Sequence, residues 1–155
     1  MSDTAYQVNE AAAPQAQQIG LVGDACEKAI QQWSPSGADI LNMAHICHEA
    51  NRVICIVNGD DSQPAWADAP DWQRESACAG VQYHLAHPHA QDRDSHDQWM
   101  ERKLREGWRY GEVKDATQKT HPCLLPFHAL PENEKIKDSV FKAIVNGYVK
   151  SKRGW

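Results

Sequence analysis

The sequence predicts a mainly α-helical fold in a single domain, and three observations lead there. Apolar residues recur at helical spacing over 39–57 and 71–87, and again from Ile136 to Tyr148. Ser34-Pro35-Ser36-Gly37, Asn58-Gly59, His87-Pro88 and Gly107 interrupt the pattern where helices should stop. Strand character is confined to a short two-stranded element near 108–113 and 123–127. With 155 residues, 41% of them hydrophobic and 24% charged, the chain can bury one core but not two.

Taken in order, residues 1–18 are polar and alanine-rich, with Pro14, and are read as a tail too poor in large apolar groups to order itself. A short helix is expected over 20–33, with Trp33 as an anchor. The next spans 39–57, capped by Asp39, with Ile40, Met43, Cys47, Ala50, Ile54 and Val57 on its apolar stripe. His45, His48 and Arg52 lie along a neighbouring face. A loop over 60–70 holds Trp66, and a helix over 71–87 carries Trp72 and ends where proline disfavours helical geometry in the preceding residue.

Asp94 or Ser95 is the expected cap of a helix bearing His96, Trp99 and Lys103 and stopping at Gly107. Trp108, Tyr110 and Glu112 alternate with Arg109, Gly111 and Val113 as a strand would, with Leu124 and Leu125 as its partner and 115–120 as the turn. Pro131 opens the last helix. The domain is expected to cover 19–149, with a core unit over 95–149 and a basic tail over 150–155 that frays.

A formal charge of -5 argues against general binding to nucleic acid polymers. Cysteines 26, 47, 55, 78 and 123 form no Cys-x-x-Cys pair, which predicts a reducing, cytoplasmic setting and neither a disulfide framework nor a zinc knuckle. No stretch has the apolar length to cross a bilayer, so no membrane partner is expected.

The order His96-x-x-Trp99-x-x-x-Lys103, Gly107-Trp108-x-Tyr110-Gly111, Asp115, Lys119-x-His121-Pro122-x-Leu124, Pro126-Phe127 and Glu134-Lys135 closely resembles the ryanodine-receptor repeat, or RyR domain. The leading helices are similar to those of small single-repeat proteins of bacteria and phages. The resemblance implies a compact helical module and a non-catalytic binding role, with a small phosphorylated, nucleotide-derived ligand as the expected partner. It also implies a second copy of the chain in place of the missing tandem repeat. An interaction or assembly module acting as a homo-oligomer is the competing reading, and a metal-dependent hydrolase is third.

Trp99, Trp108 and Tyr110 serve either as packing or as a surface on which a base stacks. Lys103 and Lys119 stand near them as phosphate contacts, and His121 before Pro122 is expected to fix a turn through a backbone carbonyl. Arg52, Trp66 and Trp72 form a second candidate cluster from the leading helices, with Arg52 suited either to a phosphate or to a structural ion pair. His45 and His48 lie one turn apart, and His84, His87 and His89 cluster, but spacing assigns no third metal ligand. There is no Gly-x-Ser-x-Gly elbow and no phosphate-binding glycine loop. The chain is therefore expected to be a non-enzyme, with no metal and no cofactor.

Overall fold

The computed structural model describes residues 33–154. The tail over 1–18, nearly all of the helix expected over 20–33, Cys26 and Trp155 lie outside the described residues. What is described is mainly α: helices α1 (Gly37–Val57), α2 (Asp71–Ala86), α3 (Asp92–Arg105) and α4 (Glu132–Arg153), with strands β1 (Arg109–Tyr110) and β2 (Thr120–His121). Single 3₁₀ turns lie at Trp66–Asp68 and Phe127–Ala129.

The helix starts are set by capping, in two places upstream of the expected residue. Ser36 caps α1, and Asp39 sits three residues inside, where its carboxylate returns to the Ser36 N–H at 3.0 Å and the Ser36 Oγ accepts from the Asp39 N–H at 3.2 Å. The Ser36 hydroxyl also donates to that carboxylate at 2.6 Å, and this bond, with that from the Ser36 N–H, lowers the Asp39 carboxyl to about 2. Its other oxygen accepts from Tyr148 at 2.8 Å, tying the start of α1 to the end of α4. Gln91, not Asp94 or Ser95, caps α3, with Asp94 in the reciprocal role. Gly59 and Gly107 each take φ of 85°, the left-handed geometry that ends α1 and α3 as the sequence predicts.

The strand pairing departs from expectation. β1 pairs with Thr120–His121 rather than with Leu124 and Leu125, and the pairing is parallel, Arg109 opposite Thr120 and Tyr110 opposite His121. The cause is an early turn. The Asp115 carboxylate accepts from the N–H groups of Thr117 and Gln118 at 2.8 and 3.0 Å, and Asp115 then exchanges both backbone bonds with Thr120. Thr120 and His121 are thereby laid beside β1 before the chain reaches Leu124, which is buried instead. At the C-terminal end α4 continues to Arg153, so Lys150, Lys152 and Arg153 form its last turn rather than a frayed tail and complement the negative end of the helix dipole.

α1 packs along α2 and α4, and α3 closes on α4 and α2 from the other side. Met43, Ala44, Cys47, Val81 and Val145 form the buried centre, with Phe141, Ile144 and Tyr148 of α4 against it. Each large side chain removed from water there contributes about 1.5–3 kcal/mol. Gly80 lets α2 approach closely, since a Cβ at that position would lie 2.9 Å from the Phe141 ring.

Candidate functional site

α2, α3 and α4 do not close completely. Between them, floored by His48 and Asn51 of α1, lies a cavity of about 220 Å³. Its size is below the roughly 300–1,000 Å³ of pockets that enclose whole drug-sized ligands, so it fits one ring system with the remainder of a ligand outside.

Three tryptophans line it: Trp72 from α2, Trp99 from α3 and Trp108 just after α3. Trp72 and Trp108 contact each other at 5.0 Å between ring centroids, inclined by 50°. Lys103 is 3% exposed, and its Nζ lies 5.0 Å from the Trp72 ring centre and 5.4 Å from that of Trp108. A cation held against two indole faces is attracted by their negative quadrupoles. Glu106 accepts from the same Nζ at 2.8 Å, so the buried charge is paired. Desolvation opposes ionisation of Glu106, but its bonds to Lys103 and Arg102 prevail and lower its pKa.

His121 stands edge-on to Trp99, centroids 5.1 Å apart. Its Nδ1 accepts from the Cys123 N–H at 3.0 Å, so the ring bonds an amide N–H and not the carbonyl that the sequence suggests. Burial, with Lys114 and Lys137 nearby, pushes its pKa down to about 4. Behind it, Cys123 Sγ and Lys137 Nζ both donate to Glu134, each at 2.8 Å. Burial and then Glu134 raise the Cys123 thiol to about 12. Asp138 lies one turn further along α4, and burial with Asp92 close by lifts its carboxyl to about 7.

Two buried acceptors on the cavity wall, Asn51 Oδ1 and Gln73 Oε1, have no hydrogen-bond partner among the described residues. An unmade hydrogen bond at a buried polar atom costs about 1–3 kcal/mol, and native proteins hold few of them. Such atoms mark places where a donor is wanted.

Of the residues singled out from the sequence, Trp72, Trp99, Lys103, Trp108 and His121 meet at this cavity. Arg52 does not: it pairs with Glu49 at 2.8 Å, and Glu49 also accepts from the Trp66 N–H at 2.6 Å. Trp66 stacks on His45 at 5.2 Å and packs on the core. Tyr110 is 51% exposed and outside the lining, while Lys119 gives its Nζ to the Glu106 carbonyl at 2.8 Å. His48 and His87 each bond a backbone carbonyl, of Pro64 and Tyr83, and His84 meets Ser95 Oγ at 3.1 Å.

Residues that sequence reasoning missed are Asn51, Gln73, Glu134 and Asp138. A signal was present for three of them. Asn51 sits midway between the buried Cys47 and Cys55 on one helical line, and Glu134 and Asp138 continue the buried line of Phe141 and Val145 on α4. Polar groups on an apolar stripe are the informative exception.

The family model for the RyR domain matches residues 82–145. Over this segment the chain is similar to an RyR domain. The matched segment runs from the end of α2 through α3, the strand pair and most of α4, so it supplies Trp99, Lys103, Trp108, His121 and Asp138. Asn51, Trp72 and Gln73 come from the part of the chain before the match. The cavity is thus built between the matched segment and the helices that precede it. The family points to a binding or interaction module.

Proposed function

We propose that this chain is a non-catalytic binding module whose cavity takes the ring of a small phosphorylated, nucleotide-derived ligand. The observation that carries the reading is the pair of unpartnered acceptors, Asn51 Oδ1 and Gln73 Oε1, in a cavity walled by three tryptophans. Amide side chains are well matched to the edge of an amino-substituted heterocycle, where an N–H donor adjoins a ring acceptor. Indole walls suit its faces. Arg102 and Lys114, on the lining, supply positive charge for a phosphate held outside. Sensing or sequestering a signalling nucleotide in a bacterial cytoplasm is the use this reading gives it.

The test is thermal unfolding against mono-, di- and cyclic nucleotides and ADP-ribose derivatives, with and without EDTA. A ligand at a hundred times its dissociation constant adds about 2.7 kcal/mol. Absence of a shift across the panel would sink the reading, and a fall in stability with EDTA would favour the metal-dependent alternative. Asn51→Leu removes an unmet acceptor, so the free protein should be no less stable while the ligand shift shrinks.

A second reading, assembly as a homo-oligomer, is favoured by one observation: Ile46, Val53, Ile56 and Val57 of α1 are exposed. Light scattering with Val53→Glu decides it, since a dimer built on that face would dissociate.

A further inference from the structure

His96 and Asp138 both line the cavity. His96 is buried, and its Nε2 lies 2.7 Å from the Leu125 carbonyl. A carbonyl only accepts, so Nε2 must carry a proton. In the neutral ring, Nδ1 then presents a lone pair, and it faces Asp138 Oδ2 at 4.0 Å. An ionised carboxylate opposite that lone pair would be repelled. A single proton on either side chain removes the conflict, as an imidazolium beside a carboxylate or as an imidazole beside a carboxylic acid.

We propose that His96 and Asp138 hold one proton between them at neutral pH and thereby give the cavity a charge that changes with pH, so that an anionic ligand enters together with a proton. The coupling to a ligand rests on the phosphorylated-ligand reading above, while the shared proton does not.

Most titratable groups around the pair are engaged elsewhere. On α3, Asp92 is committed to Ser139 and Lys142 of α4. On α4, Lys137 is bound to Glu134. From α2, His84 meets Ser95, with its pKa lowered by burial, and from α1, His48 bonds the Pro64 carbonyl. His121 and Lys114 border the same cavity from the β1–β2 region. Asp138 has no ion pair with a lysine or arginine and no hydrogen bond among the described residues, and burial with Asp92 raises its carboxyl to about 7. The proton that stays is therefore lost near the pH at which binding would occur.

When the proton leaves, the pair becomes a net negative charge on the wall. For one linked proton, the dissociation constant of an anionic ligand rises by up to about tenfold per pH unit above the transition.

Two measurements decide it. In the free protein, the ring ¹⁵N shifts of His96 are followed from pH 5.5 to 8.5 in wild type and Asp138→Asn. A step near neutrality that the variant lacks is expected. Identical curves in the two proteins would overturn the shared proton. Then the dissociation constants of 5′-AMP and 5′-GMP are compared at pH 7 and 8.5, with the variant cancelling the titration of the phosphate itself. Wild type should lose affinity relative to Asp138→Asn as pH rises, while His96→Gln, which keeps an N–H donor for Leu125 and leaves Asp138 to titrate alone, should shift the pH at which affinity is lost. Equal slopes would overturn the coupling. No binding by any of the proteins would overturn it together with the ligand reading, leaving the shared proton to stand or fall on the NMR curves.

Discussion

Replacing Gly111 by alanine tests whether the strand pair is what fixes the tryptophan and histidine walls of the cavity. A Cβ at Gly111 would lie 2.7 Å from Thr120 Cβ and 3.0 Å from its Cγ2. Carbon atoms in contact rest at about 3.5–4.0 Å, so the shortfall approaches 1 Å. Thr120 cannot rotate away, because the offending atom is its own Cβ, and it cannot easily translate. Its N–H bonds the Asp115 carbonyl at 2.9 Å, and its Oγ1 bonds the Val113 carbonyl at 2.9 Å. Overpacking of this kind costs about 1–3 kcal/mol. At about 2–4 °C per kcal/mol for a chain of this size, a loss near 2 kcal/mol lowers the melting midpoint by roughly 4–8 °C. Gly37→Ala is the control: nothing lies within 4 Å of its Cβ, and the substitution sits in the first turn of α1. That midpoint should hold or rise, by up to about 1 kcal/mol in stability. Adding Thr120→Gly to Gly111→Ala should recover part of the loss, with a coupling of about 1 kcal/mol in a double-mutant cycle. A Gly111→Ala midpoint equal to wild type by differential scanning calorimetry would refute the reasoning.

Further outcomes follow from the titrating groups. His121 has its pKa lowered to about 4 from 6.5, so its contribution is present above pH 6.5 and is lost as pH falls through 4. The amount is of order 3 kcal/mol. His121→Asn, which keeps an acceptor for the Cys123 N–H, should flatten that acid limb in denaturant titrations from pH 7 to 4. Asp138 has the opposite sign. Its pKa is raised to about 7 from 3.8, so its contribution is full below 3.8 and is lost as pH rises through 7. Asp138→Asn should therefore match wild type near pH 3.8 and be the more stable protein above pH 7, by at most about 4 kcal/mol; equal stability at pH 8 would contradict the buried carboxyl. Cys47 and Cys123, both pushed up to about 12, should resist iodoacetamide at pH 8 in the folded protein and react on unfolding, as read by mass spectrometry.

The helices of this fold are legible because their signals are local. Asn58-Gly59, Gly107 and Pro131 act through backbone geometry that a few residues determine, and the ends of α1 and α3 and the start of α4 follow. The caps are less legible, since Ser36 and Asp39 both cap well and only the reciprocal bonds choose Ser36. The strand partner was hidden for another reason. Leu124 and Leu125 look more like a strand than Thr120 and His121, but Asp115 turns the chain early, and a turn outranks propensity over so short a pairing. The two candidate clusters were separated by a single helical step. Arg52 was drawn to Glu49 on the outside of α1, while its neighbour Asn51 points at the cavity. Asn51 shares the helical line of the buried Cys47 and Cys55 and Arg52 does not, so position on the helix, rather than the charge of the side chain, was the signal to follow.

The geometry also restricts how a ring could use the aromatic walls. Trp72 and Trp108 are 5.0 Å apart and inclined, which is contact distance for two rings and leaves no slot for a third between them. Both rings are engaged by Lys103, which Glu106 and a near-complete lack of exposure hold in place. A ligand ring therefore has two routes. It can lie against Trp99 and the edge-on His121, within reach of the unpartnered amides, and leave Lys103 untouched. Or it can take the place of Lys103, which requires an anionic group to replace Glu106 as the partner of the ammonium. Lys103→Met separates these. It keeps the length of the buried stem and removes the charge, so ligand affinity survives on the first route and collapses on the second.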